Sequence, residues 1–324
     1  MDADAMDRML ARTRGELNRA WLAMWQHLLD ENPAESIAGR LYAQEPSLVL
    51  RGWDAAVASF AAAQHAAYVS AGQTSARWIA GEISKSARVS KKLPHFDALD
   101  PPALQWAEAN RLQLIRDLTV EQRDLIRQAL IGGARSGANP IVIAREFRNS
   151  IGLTAAQEEI VQNYRRQLEG GDLAAALERE LSSGASDQTI GAAMRANKPL
   201  TSAQIDLAVN RYRDNFITLR SETIARTETQ RVAHQGSAEL YRQAISRGDI
   251  SADQIERTWV HSPRARNKAN EREFHREMHG QKRGWDEPFV SGRGVELRYP
   301  GDPDAGAEET IGCRCTVTTR LNAA

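Results

Sequence analysis

The sequence is short of several things that usually decide a protein's class. It has only two cysteines in 324 residues, and they sit one residue apart as Cys313-Arg314-Cys315. A disulfide across such a spacing closes a small strained ring and constrains almost nothing, so no disulfide framework holds this fold. Net charge is also missing: 42 basic residues balance 42 acidic ones. That argues against a protein that wraps DNA by bulk electrostatics, while leaving room for local basic patches. No apolar run approaches the roughly 20 residues that cross a bilayer. The start, Met1-Asp2-Ala3-Asp4, lacks the basic and apolar regions of a secretory leader, so the chain is expected to stay in the cytosol. Finally, no H-E-x-x-H, no G-x-S-x-G and no phosphate-binding loop is present; Gly292-Arg293-Gly294 is too short for one.

What the sequence has in quantity is helix. The length suffices for two domains with a real core, and the apolar fraction of 42% is ordinary. Leu10, Leu17, Trp21, Met24, Trp25 and Leu28 recur at helical spacing, which predicts an amphipathic helix over the first 30 residues. Its apolar face fits either core packing or a partner surface. Ala-rich helices are expected at 52–71 and 74–87. The basic run at 86–92 reads as a loop, solvated or in contact with nucleic-acid phosphate. Asp100 before Pro101-Pro102 marks another helix start. Thr119-x-x-Gln122, Thr154-x-x-Gln157 and Thr201-x-x-Gln204, each preceded by Leu, read as capping boxes. Ser251-x-x-Gln254 is a weaker instance.

Two of these boxes lie inside a repeat. Residues 136–166 align without gaps on 183–213, with 11 identities in 31 positions. Each copy reads as a short helix, a turn and a capped longer helix, and the two copies are expected to pack together. The second runs into a long helix, 201–247, that should stop near Gly248.

After residue 255 the composition changes. Three of the seven His, two of the seven Trp, the turn Tyr299-Pro-Gly-Asp-Pro303 and both cysteines fall between Trp259 and Cys315. Short strands are expected at 257–260, 295–299 and 313–319, with a helix near 267–279. Charge is split: residues 257–283 hold eight Lys/Arg against three Asp/Glu, and residues 286–309 hold two against seven. This fits internal complementarity or a docking surface.

The fold class is therefore mainly α. A helical N-terminal body with a duplicated helical unit precedes a small α+β C-terminal module. The expected division is 1–95, a helical region; 96–250, the body with the repeat and long helix; and 251–324, the module.

Three chemical readings stand side by side. His275, Cys313 and Cys315, with His279, His261 or Asp302 as a fourth ligand, would satisfy the tetrahedral N/S chemistry of structural zinc, although paired C-x2-C knuckles are lacking. The bland counterpart is two small core cysteines on a strand, with His275 bonded to a carbonyl. Alternatively, His275, Asp302, Glu308 and Glu309 could serve a metal-dependent hydrolase acting on DNA or peptidoglycan. Third, on the helix through Ile224–Thr229, Glu222 and Arg226 are i and i+4, as are Arg226 and Gln230, which reads either as a surface ion pair worth about 0.2–0.5 kcal/mol or as a site where Arg226 and Glu228 dock the C-terminal module or a partner.

Taken in order, Ala225-Arg-Thr-Glu228, Trp259, His275-x3-His279-Gly280-Gln281, Glu287-Pro-Phe289, Tyr299-Pro-Gly-Asp302, Gly306-Ala-Glu308 and Cys313-Arg-Cys315 resemble the phage Mu F-like head-morphogenesis module. The resemblance is clear over about 200–324 and extends to the helices around Ile151-Gly-Leu-Thr154. Many relatives carry an Asp and a further Cys pair after the Trp; here that segment reads His261-Ser-Pro-Arg-Ala-Arg266, so a four-thiolate metal site is out of reach. The resemblance implies a non-catalytic minor capsid protein inside the virion, near the portal, assembled in the host cytoplasm. It implies portal, major capsid or scaffold protein as partners, an influence on DNA packaging or ejection, and no membrane. A nonspecific DNA-binding head component, touching packaged DNA through residues 264–272, is a further alternative. Arg226, Glu228, Trp259, Gln281 and Asp302 become the expected docking residues. The chain's end at Ala324 fits the plain virion form, without a fused effector.

Overall fold

A computed structural model describes residues 1–43, 50–85, 93–136, 139–262 and 272–322. It is mainly helical, with α1 (Ala3–Glu31), α2 (Ala34–Tyr42), α3 (Trp53–Lys85), α4 (Pro101–Ser136), α5 (Pro140–Ser150), α6 (Ala155–Glu169), α7 (Leu173–Leu177), α8 (Gly184–Ala196) and α9 (Ser202–Ser246). The C-terminal module follows, with β1 (Ile255–Val260), α10 (Glu273–Arg276), β2 (Lys282–Arg283), β3 (Phe289–Val290), β4 (Glu296–Leu297), α11 (Ala307–Thr310) and β5 (Thr316–Leu321). No helix among the described residues is long and apolar enough to cross a membrane. The basic run at 86–92 lies outside the described residues, as do 263–271, which hold the start of the expected 267–279 helix and most of the basic stretch 264–272.

The chain divides into two compact units, each built from separate stretches. One comprises Met1–Trp21, Ser59–Leu112 and Thr223–Ala324; the other comprises Leu22–Ala58 and Gln113–Glu222.

The second unit holds the repeat. Thr154 and Gln157 form a full capping box at the start of α6, with the Thr hydroxyl accepting from Gln157 N–H at 3.2 Å and Gln157 Oε1 accepting from Thr154 N–H at 3.0 Å. Thr201 and Gln204 repeat it at the start of α9. Tyr164 on α6 meets Tyr212 on α9 with ring centroids 4.4 Å apart, and Val161, Leu168, Ile190 and Val209 complete a core shared by α6, α8 and α9. The longer helices of the two copies thus pack together, as does the short helix of the second copy. The short helix of the first turns elsewhere: Arg148 on α5 donates to the carbonyls of Leu29 and Asn32 that close α1. Thr154→Ala removes one half of the box and is expected to cost about 1 kcal/mol, read as a lower urea midpoint.

Thr119 corrects the third expected box. It lies inside α4, where its hydroxyl donates back to Ile115 O at 2.7 Å and accepts from Trp53 Nε1 at 3.4 Å. A Thr-x-x-Gln signature starts a helix only where the preceding chain is not already helical. Here Leu114, Leu118 and Leu125, all buried, carry the helical period straight through it. The two Ala-rich helices are likewise one, α3, unbroken at Gly72.

The apolar face of α1 is core. Trp21 packs edge-on against Phe60 at 5.1 Å in the first unit, and Trp25 tilts against Trp53 at 5.9 Å in the second. Leu10, Leu17, Met24 and Leu28 are buried as well.

In the first unit, α9 ends as expected. Gly248, at φ +74, and Asp249 return their N–H groups to Ile245 O and Ala244 O. Leu240, Tyr241 and Ala244 of α9 pack on Ile79 and Ile83 of α3, with Ile255 joining from β1. The module's sheet has the antiparallel order β2-β1-β5, and β3-β4 form a separate hairpin. In β1, Ile255, Arg257 and Trp259 point inward, and Trp259 pairs with Val317 of β5.

Candidate functional site

The His–Cys residues converge. β1 carries Trp259 to the centre of the module, where it is fully buried with Met278, Phe289, Leu297, Cys313, Cys315 and Val317. Its ring lies edge-on to His275 at 5.7 Å and to Phe289 at 5.3 Å. α11 ends in a tight turn, with Ile311 N–H returning to Ala307 O and Cys313 N–H to Thr310 O. Cys313 and Cys315 therefore precede β5 rather than lie in it, correcting the expected strand 313–319. They still continue the inward phase of Val317, because alternate residues of an extended chain face one side.

His275 on α10 is 1% exposed, and Cys313, Cys315 and Glu309 are 3%, 2% and 2% exposed. His275 Nδ1 stands 3.5 Å from Cys313 Sγ and 3.7 Å from Cys315 Sγ. On its other side, Nε2 meets Glu309 Oε2 at 2.6 Å, so its partner is a carboxylate and not the carbonyl considered above. The ligand atoms of His275, Cys313 and Cys315 all lie within 4.8 Å of one another. Arg272 braces the group by donating to Glu309 O at 2.9 Å, and Ser291 Oγ lies 3.4 Å from Glu309 Oε1. Burial opposes a charged His275, but Cys313 and Glu309 outweigh it and its pKa rises. The hydrogen bond from Cys315, which overcomes burial, and then His275 hold Cys313 well below the usual thiol range; that same bond and burial push Cys315 up.

Among the candidate fourth ligands, His261 Nδ1 lies 3.5 Å from Cys315 Sγ. His279 uses Nδ1 to accept the backbone N–H of His261 at 3.2 Å. Asp302 is occupied by Arg298, accepting from its backbone N–H, Nε and guanidinium at 2.8–2.9 Å. Glu308 is exposed and pairs with Arg293.

Of the expected docking residues, Trp259 is buried in the module core, and Asp302, Gln281 and Glu228 make hydrogen bonds within the chain. Asp302 also caps the 3-10 turn Pro303–Ala305. Gln281 clamps Val290 from both sides, donating to its carbonyl at 2.8 Å and accepting its N–H at 3.2 Å. Glu228 accepts from Gln64 of α3 at 2.7 Å and pairs with Arg231 at 3.3 Å. Arg226 is half-buried on α9.

Other contacts tie the module to α9. Thr227 Oγ1 accepts the N–H of Gly312 at 2.9 Å, and Tyr299 donates its hydroxyl to Gln235. Thr227 lies within the Ala225-Arg-Thr-Glu228 motif but was not singled out from it, and Gln235 lies outside every motif, because a polar residue on a long helix carries no mark of which turn meets another element. Arg257 was missed too. It is a buried cation without a carboxylate partner among its described hydrogen bonds, donating to the carbonyls of Gly284, Glu287 and Arg298 and lying over Trp285 and Phe289. Burial lowers its pKa to about 10. The strict alternation of β1 was the available signal, since it places residue 257 inward with 255 and 259. A pocket of about 450 Å³, lined by Arg242, Arg257, Trp285, Arg298 and Tyr299, adjoins it.

His234, stacked on Tyr299 at 6.3 Å, is buried, and burial pulls its pKa from 6.5 to about 3. The unfolded chain takes up a proton that the fold refuses, so stability falls as pH drops from about 6.5 towards 3. Between pH 7 and pH 5 this is worth about 2 kcal/mol at roughly 1.4 kcal/mol per unit. His234→Gln is expected to lose less stability over that interval by about this amount, in urea titrations at the two pH values. Equal losses would refute the assignment.

These features define a helical protein that closes with a small, tightly fastened α+β module around a buried His–Cys–Glu group. The chain belongs to the family described as Phage Mu protein F like protein, whose model matches residues 125–318, more than half of it. The match takes in the module and reaches back through the repeated helices. Neither a search of curated proteins nor one of solved structures finds a match. This membership makes it a phage head-morphogenesis type of protein.

Proposed function

We propose that this chain is a minor capsid protein that acts by assembly, without catalysis, inside the phage head near the portal. Portal, major capsid or scaffold protein would be its partner, and its place in the head would bear on DNA packaging or ejection. The observation that carries this reading is where the distinctive residues go. Trp259, Gln281 and Asp302 hold the module together internally, Glu228 joins α9 to α3, and His275, Glu309 and both cysteines are buried. A hydrolase needs its acid, base or nucleophile within reach of a substrate. A rigid module seated on a long helix suits docking instead.

Co-expression with portal, capsid and scaffold proteins of the same phage, followed by affinity capture of this chain, tests the reading. Retention of one head protein through washing is expected. Loss of all of them would refute it. Steep, salt-dependent binding to DNA in place of any head protein would instead favour the nucleic-acid alternative.

A further inference from the structure

We infer that His261, His275, Cys313 and Cys315 form a closed structural zinc site, with Glu309 as the carboxylate that orients His275. Four observations lead there.

The first is distance. With Zn–S of about 2.3 Å and Zn–N of about 2.0–2.1 Å, the N···S edge of a tetrahedron is roughly 3.5 Å. His275 Nδ1 lies 3.5 and 3.7 Å from the two sulfurs, and His261 Nδ1 lies 3.5 Å from Cys315 Sγ. One ring nitrogen cannot bond both thiols well, whereas one cation between them satisfies all three atoms.

The second is the tautomer. Glu309 at 2.6 Å engages Nε2, so Nδ1 is the nitrogen that faces the sulfurs; with zinc bound, the proton would stay on Nε2 and the Nδ1 lone pair would go to the ion. A carboxylate on the far nitrogen is what a metal-bound histidine ordinarily has.

The third is register. Arg257 pairs with Thr319 and Trp259 with Val317, so the next inward pair of the same ladder is His261 with Cys315. Residues opposite one another in an antiparallel pair have Cβ atoms about 4.5–5.5 Å apart. The sheet itself therefore delivers the fourth ligand. Among the described contacts His261 meets Cys315 Sγ at 3.5 Å, and a movement of its ring towards the other ligand atoms would close the tetrahedron.

The fourth is burial. His275 and both cysteines are sealed in the module core, behind Trp259. Two thiolates and two imidazoles suit zinc over harder cations, and four protein ligands leave no place for a reactive water. The ion would tie the end of β1, helix α10 and the start of β5 at one point, doing for this small module what a disulfide cannot. A Cys313 nucleophile activated by His275 and Glu309 is the competing use of the same atoms, and it requires an exposed thiol.

The full-length chain, purified under reducing conditions without chelator, tests the site by elemental analysis. One zinc per chain is expected, and replacement by Co2+ should give the intense visible bands of a tetrahedral, thiolate-bound ion. Neither measurement needs a variant. His261→Ala should weaken zinc binding at least tenfold in chelator competition, and Glu309→Gln by about 10–100-fold. Absence of zinc together with failure to bind added Zn2+ would overturn the site. Unchanged affinity in His261→Ala would overturn its closure by a fourth ligand. Rapid alkylation of Cys313 in the folded, zinc-supplied chain would favour the nucleophile instead.

Discussion

Gly301→Ala is expected to loosen the C-terminal module from α9 at a cost of about 3 kcal/mol, summed from two causes. Gly301 sits at φ +84, a backbone state that side chains strain to adopt, worth about 1–2 kcal/mol. An added Cβ would also lie 2.8 Å from Arg231 N, and 2.9 Å from both Gln230 C and Gln230 Cβ. Those neighbours are mostly helix backbone, which cannot swing aside as a flexible side chain can, and overpacking of this kind costs about 1–3 kcal/mol. Gly294 separates the two causes. It has φ +78, but a Cβ there meets nothing within 4 Å. Gly294→Ala should therefore show only the backbone cost. Denaturant midpoints, with hydrogen exchange across residues 255–322, would report both. Equal effects at the two glycines would mean that the Tyr299–Pro303 turn does not press on α9.

Arg257→Met is the second large effect, expected at about 2–3 kcal/mol. Three carbonyls, of Gly284, Glu287 and Arg298, lose their donor together. An unsatisfied buried acceptor costs about 1–3 kcal/mol, while removal of a desolvated cation returns part of this. The methionine still fills the space under Trp285 and Phe289, so the change isolates the hydrogen bonds from the packing. Arg257→Lys should recover only a fraction, since an ammonium lacks the planar fork that reaches three acceptors in different directions. A denaturation series of wild type, Lys and Met in that order of stability is the expected result. A lysine variant as stable as wild type would mean that charge alone matters at this position.

How much of this was legible in the sequence depends on whether the cause was local. The long helix, its Gly248 stop and the boxes at Thr154 and Thr201 were readable because caps act over three or four residues. Thr119 carries the same local signature and was misread, since only its neighbours Leu114, Leu118 and Leu125 reveal that the helix is already under way. The repeat predicted that α6 would pack on α9, but not that α5 would turn to the end of α1, because identity between copies says nothing of outside partners. In the module, His275, Cys313 and Cys315 stood out as one candidate group and the structure brings them together, whereas the choice among His279, His261 and Asp302 for a fourth member was open. His275 and Cys313 are 38 positions apart, and only the β1–β5 register brings His261 opposite Cys315. Asp302 and Gln281 stood out as docking residues through family resemblance and Glu228 already from its helix; their described contacts are internal, and of the residues that bind the module to α9, Thr227 was marked only as part of a motif and Gln235 not at all.

The chain belongs to a phage head-morphogenesis family, and the proposal built on that membership is that it becomes a built-in part of the head. Quantitative mass spectrometry of purified phage particles tests it most directly. The chain is expected in the particles, at a copy number far below that of the major capsid protein. Its absence from particles that contain portal and capsid proteins, with the chain left free in the lysate, would contradict it.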